Sequence, residues 1–109
     1  MTSRERQVAL FELYGALLTE HQRDVLQLYL TEDWSLSEIA GHQTTSRAAV
    51  HDLIRRAGHA LEEYERRLGL LALQQQRQEQ LQAVTDELAE LRRRIGRIEH
   101  ALGKLPGTL

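Results

Sequence analysis

The residues best equipped for chemistry in this 109-residue chain lie between positions 46 and 56, where the sequence reads SRAAVHDLIRR. Guanidinium groups present planar forks of N–H donors that match phosphate oxygens and the acceptor edge of guanine. A serine at a helix start can cap the helix and also touch a phosphate. Ser46, Arg47, Ala48, His51, Arg55 and Arg56 are therefore the candidate nucleic-acid contacts. The bland reading of the same stretch is a solvated helix face, its arginines paired within the chain to Asp52 and Glu62. Composition leaves both open.

Other chemistries find less support. Arg92-Arg93-Arg94 with Arg97 is the densest positive run, suited to RNA or an acidic partner, but equally to the solvated side of a helix. The five histidines show neither HxxxH nor HExxH spacing, and the chain has no cysteine. His51 and His59 could share a helix face, yet no carboxylate cluster joins them, so no metal site is expected. A Gly-rich phosphate loop and a nucleophile elbow are both missing from the sequence, and Ser35 and Ser46 read as helix caps. The chain is expected to bind rather than catalyse, without a cofactor.

Charge argues for caution about nucleic acid. Residues 1–65 hold six Arg, no Lys and eleven acids, a balance of −5, whereas residues 66–109 hold eight bases and five acids, a balance of +3. Duplex binding ordinarily rests on an excess of Lys and Arg that displaces condensed counterions.

The elements that must position these residues are helices. Leu, Ala, Glu, Gln and Arg dominate, there is one proline, and aromatic residues make up 5% of the chain. That composition predicts an all-α fold. Residues 4–18 carry Val8, Leu10, Phe11, Leu13, Tyr14, Leu17 and Leu18 as a helical stripe. Thr19-x-x-Gln22 is a capping box opening a second helix, about 20–31, with Val25, Leu26, Leu28, Tyr29 and Leu30 inward. Ser35-x-x-Glu38 opens a short helix, about 36–42, with Leu36, Ile39 and Ala40 on one side. After a turn at 42–45, Ser46 caps a helix that is expected to pass Gly58 uninterrupted and reach Leu68. Trp34, just before a cap, is expected to plug the core. Residues 35–56 thus have helix-turn-helix spacing. The expected organisation is a helix-turn-helix domain over 1–72, a Gln-rich helical joint over 73–80 and a coiled-coil helix over 81–105.

In that last segment the apolar period changes. Leu81, Val84, Leu88, Leu91, Ile95, Ile98, Leu102 and Leu105 are separated by alternating steps of three and four, a heptad seam with Leu81, Leu88, Ile95 and Leu102 at a and the others at d. So narrow a stripe prefers a partner helix. Position g holds Glu87 and Arg94, and position e holds Arg92 and Glu99. In a parallel pair Glu87 faces Arg92 of the other copy and Arg94 faces its Glu99, whereas antiparallel pairing needs two different registers for two attractions. A parallel homodimer is expected, with a trimer or tetramer allowed by the mixed Leu and Ile layers. The alternative is a helix folded back on its own chain.

The segments YGALLTEHQR, DWSLSEIA, SRAAV and LEEYERRL, in that order across residues 8–71, resemble the YlxM-like family of small bacterial helix-turn-helix proteins similar to region 4 of sigma factors. The resemblance implies a regulatory, DNA-binding or adaptor role linked to the signal recognition particle pathway, with that particle's RNA or protein, or DNA, as partner. Departures from the family pattern lie in the turn, where Gln43 and Thr45 stand for apolar residues and Thr44 for a common glycine, and after Val50, where His51 and Asp52 replace basic and aromatic residues. The polar turn is expected to loosen the packing of the two short helices. The N-terminus lacks an apolar signal core and no apolar run approaches about 20 residues; a cytoplasmic protein without membrane insertion is expected.

Overall fold

The computed structural model describes residues 1–107, and every regular element among them is helical. The helices are α1 (Ser3–Tyr14), α2 (Glu20–Leu26), α3 (Leu36–Gln43), α4 (Arg47–Leu68) and α5 (Leu70–Gly103). Two compact units divide the chain, residues 1–72 and the chain from Leu73 onward. No helix among the described residues is long and apolar enough to cross a membrane.

In the first unit each helix start is closed by a side chain, because the first amides of a helix have no partner inside it. The Thr19 hydroxyl accepts from the Gln22 N–H at 3.2 Å and the Ser35 hydroxyl from the Glu38 N–H at 3.1 Å; both boxes are completed by the return bond. A third box, Thr2 with Glu5, closes α1. The apolar stripe alone does not reveal it, although Thr-x-x-Glu is the same signature.

The first two helices depart from regular continuation. α1 stops at Tyr14 instead of running to residue 18, and a single tight turn over Gly15–Leu17 follows, closed by Leu18 N–H to the Gly15 carbonyl at 3.1 Å. This turn swings Leu18 into the core and leaves Leu17, expected in the stripe, 55% exposed. The Phe11 ring packs closely over Gly15, where a Cβ would sit 3.0 Å from it. α2 likewise gives way at Gln27–Thr31 to a wider turn, with Glu32 N–H bonded to the Gln27 carbonyl at 3.1 Å. Arg4 straps this end, donating to the Tyr29 carbonyl and to Asp33, each at 3.0 Å, with its guanidinium 5.4 Å from the Tyr29 ring centre.

α4 is the axis of the core. Val50, Ile54, Ala57 and Leu61 recur at steps of four and three and are buried, with α1, α2 and α3 packed around them. Ile39 of α3 and Leu10 and Tyr14 of α1 are fully enclosed. Trp34 is half-buried against this cluster, edge-on to the His42 ring at 5.3 Å. Gly58 does not interrupt α4, as expected.

α4 ends at Gly69, whose left-handed φ of 66° suits glycine. The start of α5 is then capped from the first unit's own interior. The Glu65 carboxylate accepts the amides of Leu71 at 2.9 Å and Ala72 at 3.2 Å, while the Tyr14 hydroxyl accepts the Leu70 amide at 3.1 Å and donates to Glu65 at 2.7 Å. Burial pushes the Glu65 carboxyl up, but the Leu71, Tyr14 and Ala72 bonds and the nearby Arg6 outweigh it and hold it below 4.5. Its neighbour Glu62, chelated by Arg6 through two bonds of 2.8 Å, is also depressed. Leu71 is buried behind this cap.

In the second unit α5 continues through the Gln-rich stretch without a break. The seven seam residues on the helix, Leu81 to Leu102, are each between 49% and 60% exposed in the single chain. The eighth requires a correction. α5 ends at Gly103, so Leu105 is not on the helix expected over 81–105; it lies in a turn closed by Leu105 N–H to the Leu102 carbonyl at 3.2 Å. Pro106 accounts for this, since the residue before proline is driven from the α region. Of the basic run, Arg93, Arg94 and Arg97 converge on Glu90, at 2.8, 3.4 and 3.5 Å.

The core assignment predicts that Ile39→Ala costs about 2–5 kcal/mol whereas Leu17→Ala costs under about 1 kcal/mol, measured by denaturant unfolding followed at Trp34. The Glu62 and Glu65 carboxyls have folded pKa values below 4.5. Their stabilisation is therefore complete above the ordinary carboxyl pKa and is lost as pH falls through the folded values. The Trp34-monitored midpoint should be level down to about pH 5 and fall below that; Glu65→Gln should start lower at neutral pH and lose less on acidification.

Candidate nucleic-acid interface

The surface formed by the turn and the first half of α4 is positioned from both sides. α3 is held by the Ser35 box and buries Ile39 and Ala40 against Val50. It ends at Thr44, which adopts a left-handed conformation, φ 56° and ψ 47°. The amides of Thr44 and Thr45 close back on the carbonyls of Gly41 at 3.4 Å and Ala40 at 3.0 Å, the usual way a helix C-terminus satisfies its last carbonyls. A β-branched residue in this conformation is strained. Ser46 then caps α4, its hydroxyl accepting the Ala49 amide at 3.0 Å.

The polar turn does not pull the two helices apart. Ile39, Ala40 and Val50 are all buried. What the polar residues leave is a small cleft of about 110 Å³ beside Gln43 and Thr45, floored by Val25, Val50 and Leu53.

The six candidate contacts fall into two groups. Arg47, Ala48 and His51 are exposed on the first turns of α4, next to the Ser46 cap, and Arg47 makes no ion pair among the described residues. Arg55 and Arg56 share one carboxylate, Asp52, at 2.7 and 2.9 Å. The Arg55 bond and both nearby guanidiniums hold the Asp52 carboxyl below 3.8, against a smaller opposing effect of burial. Asp52 thus takes up part of the positive charge in that group, leaving the triad a net +1. Glu62, the other carboxylate considered as a partner for these arginines, is held by Arg6 instead.

The structure also adds residues that spacing along the chain could not supply. Thr19, His21 and Gln22, at the start of α2, border the same shallow groove as Ala49, Asp52 and Arg56. Some thirty positions separate these segments, and no local pattern links them. No group of three or more His, Asp or Glu among the described residues could hold a metal ion.

Against known proteins, residues 1–101 match the family model described as "Putative helix-turn-helix protein, YlxM / p13 like". The chain is 49% identical over 90 residues to a UPF0122 protein of Symbiobacterium thermophilum, covering 83% of this chain and 80% of that protein. It is 43% identical over 91 residues to a UPF0122 protein of Clostridium kluyveri, covering 84% and 82%. A UPF0122 protein of Halalkalibacterium halodurans is 48% identical over 77 residues, 71% of each.

The local geometry predicts opposite effects at neighbouring turn positions. Ser46→Ala removes the α4 cap and should destabilise the first unit by about 1 kcal/mol. Thr44→Gly removes the left-handed strain and should stabilise it by up to about 1 kcal/mol. Both are read from urea midpoints at Trp34, and equal shifts of the same sign would contradict the assignment.

Proposed function

The chain belongs to the YlxM/p13-like helix-turn-helix family, UPF0122, and from that premise we propose that it is a regulatory adaptor that binds nucleic acid through the first turns of α4 and performs no catalysis. The observation that carries this reading is Arg47: exposed beside the Ser46 cap, without an ion-pair partner among the described residues, and followed by the small exposed Ala48 and by His51. Such a surface can approach a phosphate backbone closely, with the helix N-terminus adding partial positive charge. Arg55 and Arg56 extend the positive surface along α4 once Asp52 is accounted for. The ligand is DNA or the RNA of the signal recognition particle, the pathway to which the resemblance points. The seam of α5 is the face through which two copies associate, and doubling the surface compensates for its modest charge.

A second reading, a protein–protein module with a degenerate helix-turn-helix, is favoured by one observation, the eleven acids against six arginines in residues 1–65. Such a surface suits a basic partner.

Salt titration separates the two. On the first reading, affinity for duplex DNA or for the particle's RNA falls steeply with salt. Arg47→Ala should weaken binding several-fold and flatten the log–log slope by about one. Asp52→Asn should do the reverse, because it releases Arg55 and Arg56. Fluorescence anisotropy with labelled nucleic acid at a series of salt concentrations reads both. Failure of every probe to bind at low salt would leave the protein–protein reading in its place.

A further inference from the structure

Resting on that reading of the seam as a self-association face, we infer that two copies pair parallel and in register from Leu81 to Leu102, and that the pair forks on the N-terminal side of Leu81. The argument begins with which charges the single helix can satisfy. Residues three and four positions apart are neighbours on a helix surface. For Glu87 these are Ala83, Val84, Glu90 and Leu91; for Arg92 they are Leu88, Ala89, Ile95 and Gly96; for Glu99 they are Ile95, Gly96, Leu102 and Gly103. None offers an opposite charge. Among the described residues Glu87, Arg92 and Glu99 accordingly make no ion pair, whereas Glu90, Arg93 and Arg97, away from the seam, satisfy one another. Glu79 and Asp86, on the face away from the seam, are also without an ion pair among the described residues, but Glu87, Arg92 and Glu99 are the ones that flank the apolar row.

A second parallel copy supplies what is missing. Glu87 meets Arg92 of the other copy and Arg94 meets its Glu99, each contact occurring twice by symmetry. Arg94 leaves only a 3.4 Å contact with Glu90, which keeps Arg93 at 2.8 Å. Antiparallel pairing matches fewer of the same residues. Two registers each cover six of the seven seam residues on the helix. Setting Leu88 across from Ile98 and Leu91 across from Ile95 brings Arg92 against Arg92 and Arg94 against Arg94, and like charges so placed oppose association. Setting Leu81 across from Ile98 and Leu88 across from Leu91 brings Glu87 against Arg94 but leaves Arg92 and Glu99 without an opposite charge.

The fork follows from carrying the heptad back one repeat. Gln74 falls at a and Arg77 at d. A parallel pair would bring the two Arg77 guanidiniums together across the axis, so close pairing begins at Leu81. The stretch from Ala72 to Leu81, about 13 Å of helix, remains as two separate strands. Parallel pairing runs the two copies in the same direction, which fits a partner presenting the same feature twice.

The absence of cysteine makes orientation directly measurable. Val84→Cys and Leu102→Cys variants of the full chain are prepared separately, mixed and equilibrated in a glutathione buffer. The disulfides are mapped by mass spectrometry, and the solution mass of the unsubstituted chain is read by light scattering. Dimer mass with 84–84 and 102–102 links and no 84–102 link is the expected result. Dimer mass with 84–102 links, or with neither homotypic link, overturns the orientation while leaving self-association intact, and monomer mass without links overturns both. Neither outcome touches the nucleic-acid reading, which salt titration decides. Glu87→Arg should weaken the dimer about ten-fold by turning two attractions into repulsions, and adding Arg92→Glu should restore it. Failure of the second change to rescue the first would overturn the pairing scheme.

Discussion

A helix begins with amides that its own turns cannot satisfy, and this chain starts five helices within its first 70 residues. That constraint organises the first unit. Four starts are closed locally, by Thr2, Thr19, Ser35 and Ser46, each with a hydroxyl reaching an amide three residues on. The fifth is closed from a distance. Tyr14, the last residue of α1, and Glu65, in the last turn of α4, converge on the amides of Leu70, Leu71 and Ala72. Those three residues have neither Ser, Thr, Asp nor Asn immediately before them, only Gly69. α5 can begin where it does because the core has already brought a carboxylate and a phenol to the place.

The same economy governs charge. Part of the charge in residues 1–65 is paired inside the unit, with Arg4 on Asp33 and Arg6 on Glu62 tying α1 to the segments it packs against. Exposed pairs of this kind contribute little individually, but they decide which cations remain available. Arg47 remains; Arg55 and Arg56 divide one carboxylate between them. An unfavourable overall charge and a locally positive helix start are therefore compatible. In the second unit Glu90 gathers Arg93 and Arg97, whereas Glu87, Arg92 and Glu99 flank the apolar row without an ion pair among the described residues.

Much of this was legible in the residues. The all-helical composition, the Thr19 and Ser35 boxes, the Ser46 cap and the uninterrupted passage through Gly58 all follow from local rules, because a cap needs only residues three apart and a helix face only its period. Leu17 and Leu105 were misplaced for local reasons of another kind. α1 departed from helical geometry at Tyr14, a turn early, and a proline ended α5 before its apolar period did. Of the candidate interface, Ser46 and the run after it could be picked out by type and spacing. Whether Arg47 or Arg55 was free could not.

What the sequence by itself determined, then, is every feature whose partners are neighbours along the chain: element type, most helix starts, the period of the α5 seam and the family resemblance carried by ordered motifs. Tertiary structure alone decided that Arg4 meets Asp33 and Arg6 meets Glu62, that Thr19, His21 and Gln22 border the groove of α4, and that Tyr14 and Glu65 cap α5. The reason is physical. Hydrogen bonds and ion pairs act over about 3 Å, and side chains some 30 to 55 positions apart reach that separation only after apolar burial has fixed the paths of the helices between them.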